Sequence, residues 1–246
     1  MPALRIAGLT KYFGALCAVR NVSIDIQPGE RRAILGPNGA GKTTLFNLIA
    51  GDFLPTSGSI QLFDLDISKM PPQKRTRSGV SRTYQNSLLF KGLTVLENIY
   101  LSVRGVQSRR LSLLAPRSSD TNLARAREWA RQAGLEHRLD TKVSDLSHGE
   151  QRQLELGMAL AGKPRLLLLD EPAAGLSQAE RPLLTQMLRD LPRTITILLI
   201  EHDMDVALQW AERVTVMHEG AVVFEGTPRE AASSAVIRTL YLGSHD

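Results

Sequence analysis

The most informative segment of this sequence is Gly36-Pro37-Asn38-Gly39-Ala40-Gly41-Lys42-Thr43-Thr44. It fits the pattern G-x-x-x-x-G-K-[ST], the phosphate-binding P-loop. A strand-like run, 31–35, precedes it, and a helix-like run, 43–50, follows it, which is the context that this motif requires. The glycines let backbone N–H groups line a concave anion site, and the positive end of the helix dipole points at the same place. The segment therefore predicts a phosphate site rather than a simple glycine-rich turn before a helix.

Two side chains of this segment have specific predicted roles. Lys42 is expected to lie between the β- and γ-phosphates of a bound nucleotide, and the Thr43 hydroxyl is expected to ligate Mg²⁺. The other residues from Gly36 to Thr44 are candidate nucleotide contacts.

The composition is that of an ordinary soluble globular protein, with 43% hydrophobic and 22% charged residues. A chain of 246 residues can form one large domain, or one domain with a small subdomain. Cys17 is the only cysteine, which excludes an intrachain disulfide and favours a reducing compartment. The first ten residues lack the pattern of a signal peptide, and the apolar runs 166–169 and 197–200 are too short to span a bilayer. We therefore expect a soluble protein whose membrane role, if it has one, comes through a partner.

Positive charge is concentrated in one part of the chain. The net charge is +5, and the interval 104–138 holds eight arginines against three acidic residues, which accounts for the whole excess. The simpler interpretation is a solvated, arginine-rich surface. The alternative hypothesis is contact with an acidic surface, such as anionic lipid headgroups.

The order of predicted elements indicates an α/β fold. Apolar runs before residue 93 and after residue 161 predict these strands: 4–9, 22–26, 31–35, 60–65, 79–84, 165–170, 194–200, 214–217 and 221–224. Between them the pattern changes to helices, with capping-box spacing at Thr94 and Glu97 and a second helix that starts at Ser119 or Asp120. We expect one domain over 1–246, with a core of about 1–92 and 162–246 and an inserted helical subdomain of about 93–161.

Two consecutive carboxylates, Asp170 and Glu171, stand at the end of the predicted strand 165–170. Its continuous apolar run is typical of a parallel strand that is covered on both faces, and Asp170 stands at its carboxyl end, where α/β sheets bind ligands. Close to a P-loop, Asp170 can hold Mg²⁺ and Glu171 can orient and polarise the attacking water. The alternative, two carboxylates that cap a helix after Pro172, is weak because of the upstream P-loop.

Other candidates carry little weight alone. Gln85 ends a predicted strand and could reach a metal or a water, and His202 follows another strand and could sense a γ-phosphate. Phe13, next to Tyr12 and upstream of the P-loop strand, could stack on a base or simply cover the edge of a sheet.

The segment Leu146-Ser147-His148-Gly149-Glu150-Gln151 precedes an amphipathic helix that extends to about Ala161. Ser147 and Glu150 have capping-box spacing, and such boxes are common helix starts. The functional alternative is a second helix N-terminus that is offered to a phosphate.

Taken together and in this order, these motifs resemble those of ABC-transporter ATP-binding subunits, and the resemblance covers essentially the whole chain. It implies a P-loop NTPase of the ABC ATPase fold, with an antiparallel β subdomain and an inserted helical subdomain. It also implies ATP and Mg²⁺ as cofactors and ATP hydrolysis as the reaction.

The resemblance assigns further roles to individual residues. Phe13, with Tyr12 as the alternative, stacks on adenine. Gln85 links Mg²⁺ and water to the transmembrane partner. Ser147 and Gly149 bind the γ-phosphate of ATP held on the P-loop of a second subunit, so that two subunits enclose two ATP molecules.

A narrower resemblance is to the ATPases of branched-chain (hydrophobic) amino acid uptake systems and their urea and amide relatives. It rests on these segments: 82–86, 94–98, 147–149, 171–176 and 241–243. Two features depart from the general family pattern. His148 and Glu150 replace the usual Gly and Gln, and Ser177 replaces a common Asp in the loop after Glu171, which puts coupling between subunits through that loop in doubt.

This resemblance implies a set of partners. They are two transmembrane permease subunits, a second ATP-binding subunit in a homo- or heterodimer and, indirectly, a solute-binding protein, at the cytoplasmic face of the plasma membrane. The alternative is a non-transport ABC ATPase acting on nucleic acid or ribosomes, which the basic charge mildly favours. Such proteins usually carry a long coiled-coil insertion or two ATPase halves, and this sequence has neither, so no nucleic acid partner is expected. A P-loop kinase or GTPase would not explain the segment 146–151.

Overall fold

The structure is a computed structural model, and it describes residues 1–83, 88–105, 120–178, 180–201 and 204–242. Within these residues the chain forms two sheets and a set of helices. The strands are β1 (Leu4–Phe13), β2 (Leu16–Ile26), β3 (Arg31–Leu35), β4 (Ser57–Leu62), β5 (Leu65–Asp66), β6 (Val80–Arg82), β7 (Leu166–Asp170), β8 (Thr196–Ile200), β9 (Arg213–His218) and β10 (Ala221–Gly226). The α-helices are α1 (Lys42–Ala50), α2 (Pro72–Arg77), α3 (Val95–Gly105), α4 (Thr121–Gln132), α5 (His148–Ala161), α6 (Arg181–Asp190), α7 (Met204–Trp210), α8 (Pro228–Ser233) and α9 (Ala235–Leu242).

The larger sheet places the P-loop strand near its centre. Its order is β10-β9-β3-β8-β7-β6, and every pairing in it is parallel except the β9–β10 hairpin. All residues of β3, β7 and β8 are buried, as the continuous apolar runs predict for parallel strands covered on both faces. The carboxyl ends of β3, β8 and β7 therefore meet at one edge of the sheet.

The smaller sheet is antiparallel, with the order β2-β1-β4-β5. Its apolar face and the larger sheet enclose α1, since Leu4, Ile60, Phe46 and Leu198 belong to one buried cluster. The P-loop helix is thus held between two sheets, and its position is fixed on both sides.

Two further clusters involve the remaining helices. One packs α5, α6 and α7 against the larger sheet, and the other joins α3, α4 and α5. Helix α5 contributes to both, with Leu156 and Leu160 in the first and Leu154 in the second. Trp129 of α4 also contacts both clusters.

The predicted helix starts of this helical region are confirmed. Thr94 and Glu97 form a reciprocal capping box, with N···O distances of 2.8 and 3.2 Å. Asp120 caps α4 and accepts a hydrogen bond from the backbone N–H of Asn122 at 2.8 Å. Ala126 and Ala130 of α4 are fully buried, as its apolar periodicity predicts.

Several predicted boundaries were wrong. The run 60–65 is two strands, because Phe63 adopts a left-handed conformation (φ 52°) and turns the chain between β4 and β5. β1 extends to Phe13, so the aromatic pair that we placed between strands is part of a hairpin. The sequence analysis also missed α2 and α6, which are short or have few buried residues.

The arginine-rich interval 104–138 is only partly described, since Arg109, Arg110 and Arg117 lie outside the described residues. Arg131 pairs with Glu128 at 2.6 Å, and Arg138 pairs with Glu150 at 2.8 Å. These arginines form ion pairs with neighbours in the same chain, which fits the simpler interpretation of a solvated charged surface. No helix among the described residues combines the length and apolar character needed to cross a bilayer.

Candidate functional site

The P-loop is packed tightly at its two ends. Gly36 (φ 148°) follows β3, and Gly41 (φ 95°) is the N-cap of α1. A Cβ atom at Gly36 would lie 2.2 Å from the carbonyl oxygen of Met217, and one at Gly41 would lie 2.4 Å from that of Ala18. Glycine is needed at both positions because neighbouring backbone leaves no room for a side chain.

The middle of the loop faces solvent. Asn38 and Gly39 are exposed and Pro37 is half-buried, whereas Ala40 is buried and its carbonyl oxygen accepts a hydrogen bond from the N–H of Gly220 at 3.1 Å. That bond ties the loop to the β9–β10 turn. After the loop, Thr43 is exposed and Thr44 is half-buried in the first turn of α1.

Lys42 is folded back onto the loop. Its side chain is 6% exposed, and Nζ donates to the carbonyl oxygens of Gly36 at 2.6 Å and Pro37 at 3.0 Å. Burial lowers the pKa of Lys42, while the charges of Glu171 and Asp170 oppose that shift. The ammonium group is thus held at the loop with two carboxylates near enough to stabilise its charge.

Asp170 ends β7 at the same edge of the sheet. Its side chain is buried and accepts a hydrogen bond from Nη2 of Arg82 at 2.9 Å, with both side chains at most 5% exposed. Nη1 of Arg82 also contacts Oδ1 of Asn47 at 2.5 Å and Oδ2 of Asp52 at 3.1 Å. Arg82 therefore connects β6, β7 and the end of the P-loop helix, a link that the sequence pattern did not reveal.

Glu171 follows directly and is half-buried. Its backbone is left-handed (φ 48°), which is uncommon for a residue other than glycine, and its N–H donates to the carbonyl oxygen of Ile200 at 3.0 Å. Such a conformation persists where the surrounding structure enforces it, and it often occurs at functional sites.

Glu201 is a buried carboxylate that the sequence analysis did not single out. It follows β8, is 1% exposed, and accepts a hydrogen bond from the N–H of Ala173 at 3.3 Å. Its position after β8 matches that of Glu171 after β7, so a carboxylate at the end of a buried strand was the signal that could have identified it.

Gln85 and His202 lie outside the described residues. Thr83, two positions before Gln85, donates its N–H to the carbonyl oxygen of Leu168 on β7 at 2.9 Å. Glu201, directly before His202, donates its N–H to the carbonyl oxygen of Ile34 on β3 at 3.4 Å. The chain thus enters both segments from strands next to β7, and the roles of Gln85 and His202 stay predictions.

Phe13 is presented on the β1–β2 hairpin. Its ring is 41% exposed, packs edge-on against Phe53 at 5.2 Å between centroids, and has Nζ of Lys11 5.0 Å from its centre. Phe13 pairs with Leu16, two residues before the Ala18 carbonyl that touches the P-loop. Tyr12 is 48% exposed on the same hairpin, so both aromatic candidates remain open.

The capping box at the start of α5 is present. Ser147 Oγ accepts from the N–H of Glu150 at 3.2 Å, and the Glu150 carboxylate accepts from the N–H of Ser147 at 2.8 Å. The carboxylate of Glu180 lies against Gly149, since a Cβ atom placed on Gly149 would be 2.3 Å from Oε1 of Glu180. Ser177 donates to the same carboxylate through its N–H at 2.9 Å and its hydroxyl at 2.7 Å, which lowers the pKa of Glu180.

The donor set suits Mg²⁺ in the way that nucleotide sites usually bind it. Among the described residues there is no cluster of three or more His, Cys, Asp or Glu side chains that could hold a metal alone. Thr43 supplies a hydroxyl and Asp170 a carboxylate, and Mg²⁺ commonly takes one or two protein oxygens and completes its shell with phosphates and water.

A cavity of about 340 Å³ lies beside this site, between the larger sheet and the helices α3 and α5. Its walls are mainly apolar, with Leu88, Leu89 and Met158, and they include Arg82 and Thr83. Leu88 is 64% exposed at its edge. The cavity therefore borders β6, the strand that carries Arg82, the ion-pair partner of Asp170.

Comparisons with known proteins agree with this geometry. The family model described as "ABC transporter" matches residues 19–174. The high-affinity branched-chain amino acid transport ATP-binding protein LivG of Salmonella typhimurium is 38% identical, over 98% of each chain, and BraF of Pseudomonas aeruginosa is 36% identical over the same shares.

Solved structures show the same fold. The ADP conformation of MJ1267, an ATP-binding cassette of an ABC transporter, has a TM-score of 0.89 at 30% identity and covers 99% of both chains. The dimeric, post-hydrolysis cassette MJ0796 bound to ADP and Pi has a TM-score of 0.79 at 27% identity, over 92% of this chain and 99% of that one. These matches confirm the predicted family and α/β architecture. The chain belongs to the ABC transporter family, as one of its ATP-binding ATPase cassettes.

Proposed function

We propose that this chain is the ATP-binding and ATP-hydrolysing subunit of a membrane importer for branched-chain amino acids or a related small solute. The observation that supports this most directly is the meeting of Lys42, Asp170 and Glu171 at one edge of the larger sheet. The similarity to LivG and BraF over nearly the whole chain supports the solute class.

In this proposal the loop 36–44 binds the phosphates. Its backbone N–H groups and the N-terminus of α1 face the anion, and Lys42 exchanges its two carbonyl partners for phosphate oxygens. Phe13 or Tyr12 stacks on adenine, which their exposure on the hairpin next to the loop permits.

Thr43 and Asp170 are the proposed protein ligands of Mg²⁺, with Gln85 as a further candidate. When bound, Mg²⁺ neutralises charge that develops on the phosphate oxygens. Glu171 accepts a proton from the attacking water and orients it, and His202 contacts the γ-phosphate. The fixed backbone of Glu171 limits where its carboxylate can lie.

A second ATP-binding subunit completes each site in this proposal. Ser147 and Gly149 at the start of α5 bind the γ-phosphate of the ATP held by that subunit. Because the Glu180 carboxylate lies against Gly149, it has to move away when the phosphate arrives. The second subunit is a further copy of this chain, in a homodimer, or a related ATP-binding chain, in a heterodimer.

Permease subunits are the proposed occupants of the apolar cavity beside Arg82. The exposed Leu88 at its rim suits an apolar segment of a membrane protein. Through these subunits the chain would lie peripherally at the cytoplasmic face of the plasma membrane and would respond indirectly to a solute-binding protein. Co-purification with two membrane subunits, and not with nucleic acid, is the expected result.

The test is Glu171→Gln in the assembled transporter. The amide keeps the shape of the side chain but cannot accept a proton from water, so we expect ATP turnover to fall at least a hundredfold. ATP binding should persist, and ATP-bound dimers should accumulate.

Glu219→Gln is the matched control, because Glu219 has the same left-handed backbone (φ 46°) and lies exposed in the β9–β10 turn. It should turn over ATP like the wild type. Wild-type turnover in Glu171→Gln would contradict the assignment of the catalytic carboxylate.

A further inference from the structure

Arg82 and Asp170 form a buried ion pair at the proposed metal site. The two side chains are 5% and 3% exposed and lie 2.9 Å apart. A buried carboxylate without a counter-charge is strongly unfavourable, and Arg82 supplies that counter-charge to Asp170. The same guanidinium stacks over the ring of Phe46, 5.9 Å from its centre, on α1.

Arg82 has a second anionic partner. Its Nη1 lies 3.1 Å from Oδ2 of Asp52, a carboxylate that is 30% exposed in the loop after α1, and 2.5 Å from Oδ1 of Asn47. Asp170 is contacted by the other terminal nitrogen, Nη2. The guanidinium can therefore leave Asp170 and still keep an anchor and a counter-charge.

We propose that Arg82 is a positioning residue that competes with Mg²⁺ for Asp170, with Asp52 as the carboxylate that holds Arg82 when the metal takes its place. This inference rests on the proposed role of Asp170 as a metal ligand. Two cations on one buried carboxylate repel each other, so metal binding requires Arg82 to give up its Nη2 contact.

Replacement of Arg82 by Mg²⁺ at Asp170 would also change the wall of the cavity. Arg82 is part of the cavity wall, and its β6 strand is bonded to β7 in register, with Arg82 opposite Leu168. The occupancy of the metal site and the shape of the proposed permease cavity are thus linked through one side chain.

The test measures how strongly Mg²⁺ promotes binding of a fluorescent ATP analogue, over a range of Mg²⁺ concentrations and in EDTA. Arg82→Met removes the competitor for Asp170. The Mg²⁺ concentration that gives half of the maximal increase in analogue binding should therefore fall about tenfold. A tenfold change corresponds to the lower end of what one charged hydrogen bond contributes. Asp52→Asn should raise this Mg²⁺ concentration, because Arg82 then loses the Asp52 carboxylate and leaves Asp170 less readily. Binding in EDTA should stay the same in both variants.

Controls separate this inference from the proposed function. Arg152→Met removes a comparable partly buried ion pair, with Glu155 at 2.7 Å, and should leave the Mg²⁺ response unchanged. Asp170→Asn should weaken the Mg²⁺ response of an otherwise wild-type chain, and if it does not, the metal assignment of the proposed function fails.

The competition is refuted by either of two results, provided that Asp170→Asn weakens the Mg²⁺ response. In the first, Arg82→Met and Asp52→Asn have the Mg²⁺ response of the wild type; in the second, both variants shift that response in the same direction. A lower melting temperature of Arg82→Met with an unchanged Mg²⁺ response would mean that Arg82 is only structural. Arg82→Lys should give an intermediate Mg²⁺ response, since an ammonium can pair with only part of this set of acceptors.

Discussion

Replacing Arg75 with alanine should strongly destabilise the protein, although Arg75 lies on a six-residue helix far from any predicted role. Its side chain is fully buried. The guanidinium donates to four carbonyl oxygens, those of Leu48 at 2.5 Å, Ile49 at 2.8 Å, Met70 at 2.7 Å and Ser68 at 3.1 Å. Two of these carbonyl groups belong to the last turn of α1, where they lack partners within the helix, so Arg75 caps the C-terminal end of the P-loop helix.

The expected magnitude follows from two opposing effects. A hydrogen bond to a charged group contributes roughly 1.5 kcal/mol or more, so four contribute about 6 kcal/mol. Burial lowers the pKa of Arg75 to about 10, and at about 1.4 kcal/mol per pKa unit this offsets roughly 3 kcal/mol of that gain. The space left by the missing side chain adds a further cost of about 1–2 kcal/mol. Arg75→Ala should therefore lower the free energy of unfolding by about 4–5 kcal/mol.

Urea unfolding followed by circular dichroism measures this directly. Arg77→Ala is the matched control, because Arg77 is exposed on the same helix, and its effect should stay within about 0.5 kcal/mol. A loss below about 1 kcal/mol in Arg75→Ala would refute the reasoning. It would mean that water or a rearranged loop satisfies the four carbonyl groups as well as the guanidinium does.

Three further predictions concern the loop and the start of α5. Gly41→Ala should abolish nucleotide binding, because its Cβ would meet a backbone oxygen at 2.4 Å. Gly39 also has a left-handed backbone (φ 80°), which strains an alanine, but a Cβ there meets no heavy atom within 4 Å, so Gly39→Ala should weaken binding less; calorimetry compares the two. Lys42→Ala should weaken ATP binding about tenfold to a hundredfold, because charge-assisted hydrogen bonds to phosphate are lost, and unchanged affinity would show that Lys42 does not contact phosphate. In the folded state the pKa of Glu150 is lowered, mainly because its carboxylate accepts a hydrogen bond from the Ser147 N–H. The ionised Glu150 side chain therefore contributes stability at neutral pH, and this contribution is lost as the pH falls through the lowered pKa. The difference in melting temperature between Glu150→Gln and the wild type should therefore be largest at pH 7 and shrink as the pH is lowered below 4.5, and a constant difference would rule this out.

The sequence was sufficient where a function depends on a contiguous pattern. The P-loop needs glycines at fixed positions between a strand and a helix, so its residues and fold context could be read from the segment 36–44. The position of Asp170 at a sheet edge followed from the apolar run before it, since such runs form buried parallel strands.

Contacts between distant residues could not be read in this way. Arg82 and Asp170 are 88 positions apart, and nothing in the local pattern of either residue indicates the other. The Glu180 carboxylate against Gly149 is a similar case, because Glu180 looks like an ordinary N-cap residue of α6. The hairpin at Phe63 was missed for a different reason: a left-handed phenylalanine is rare, and only tertiary packing can impose it.

The double packing of α5 has a consequence for how this protein unfolds. Its residues lie in the cluster beneath the larger sheet and in the cluster of the helical region, so neither group keeps a complete apolar core without the helix. Separating the two groups would expose Leu154, Leu156 or Leu160 to water, and fully burying one leucine contributes about 1.5–3 kcal/mol. We therefore expect the two regions to lose structure in one cooperative transition, so that calorimetry gives a single peak whose calorimetric and van't Hoff enthalpies agree.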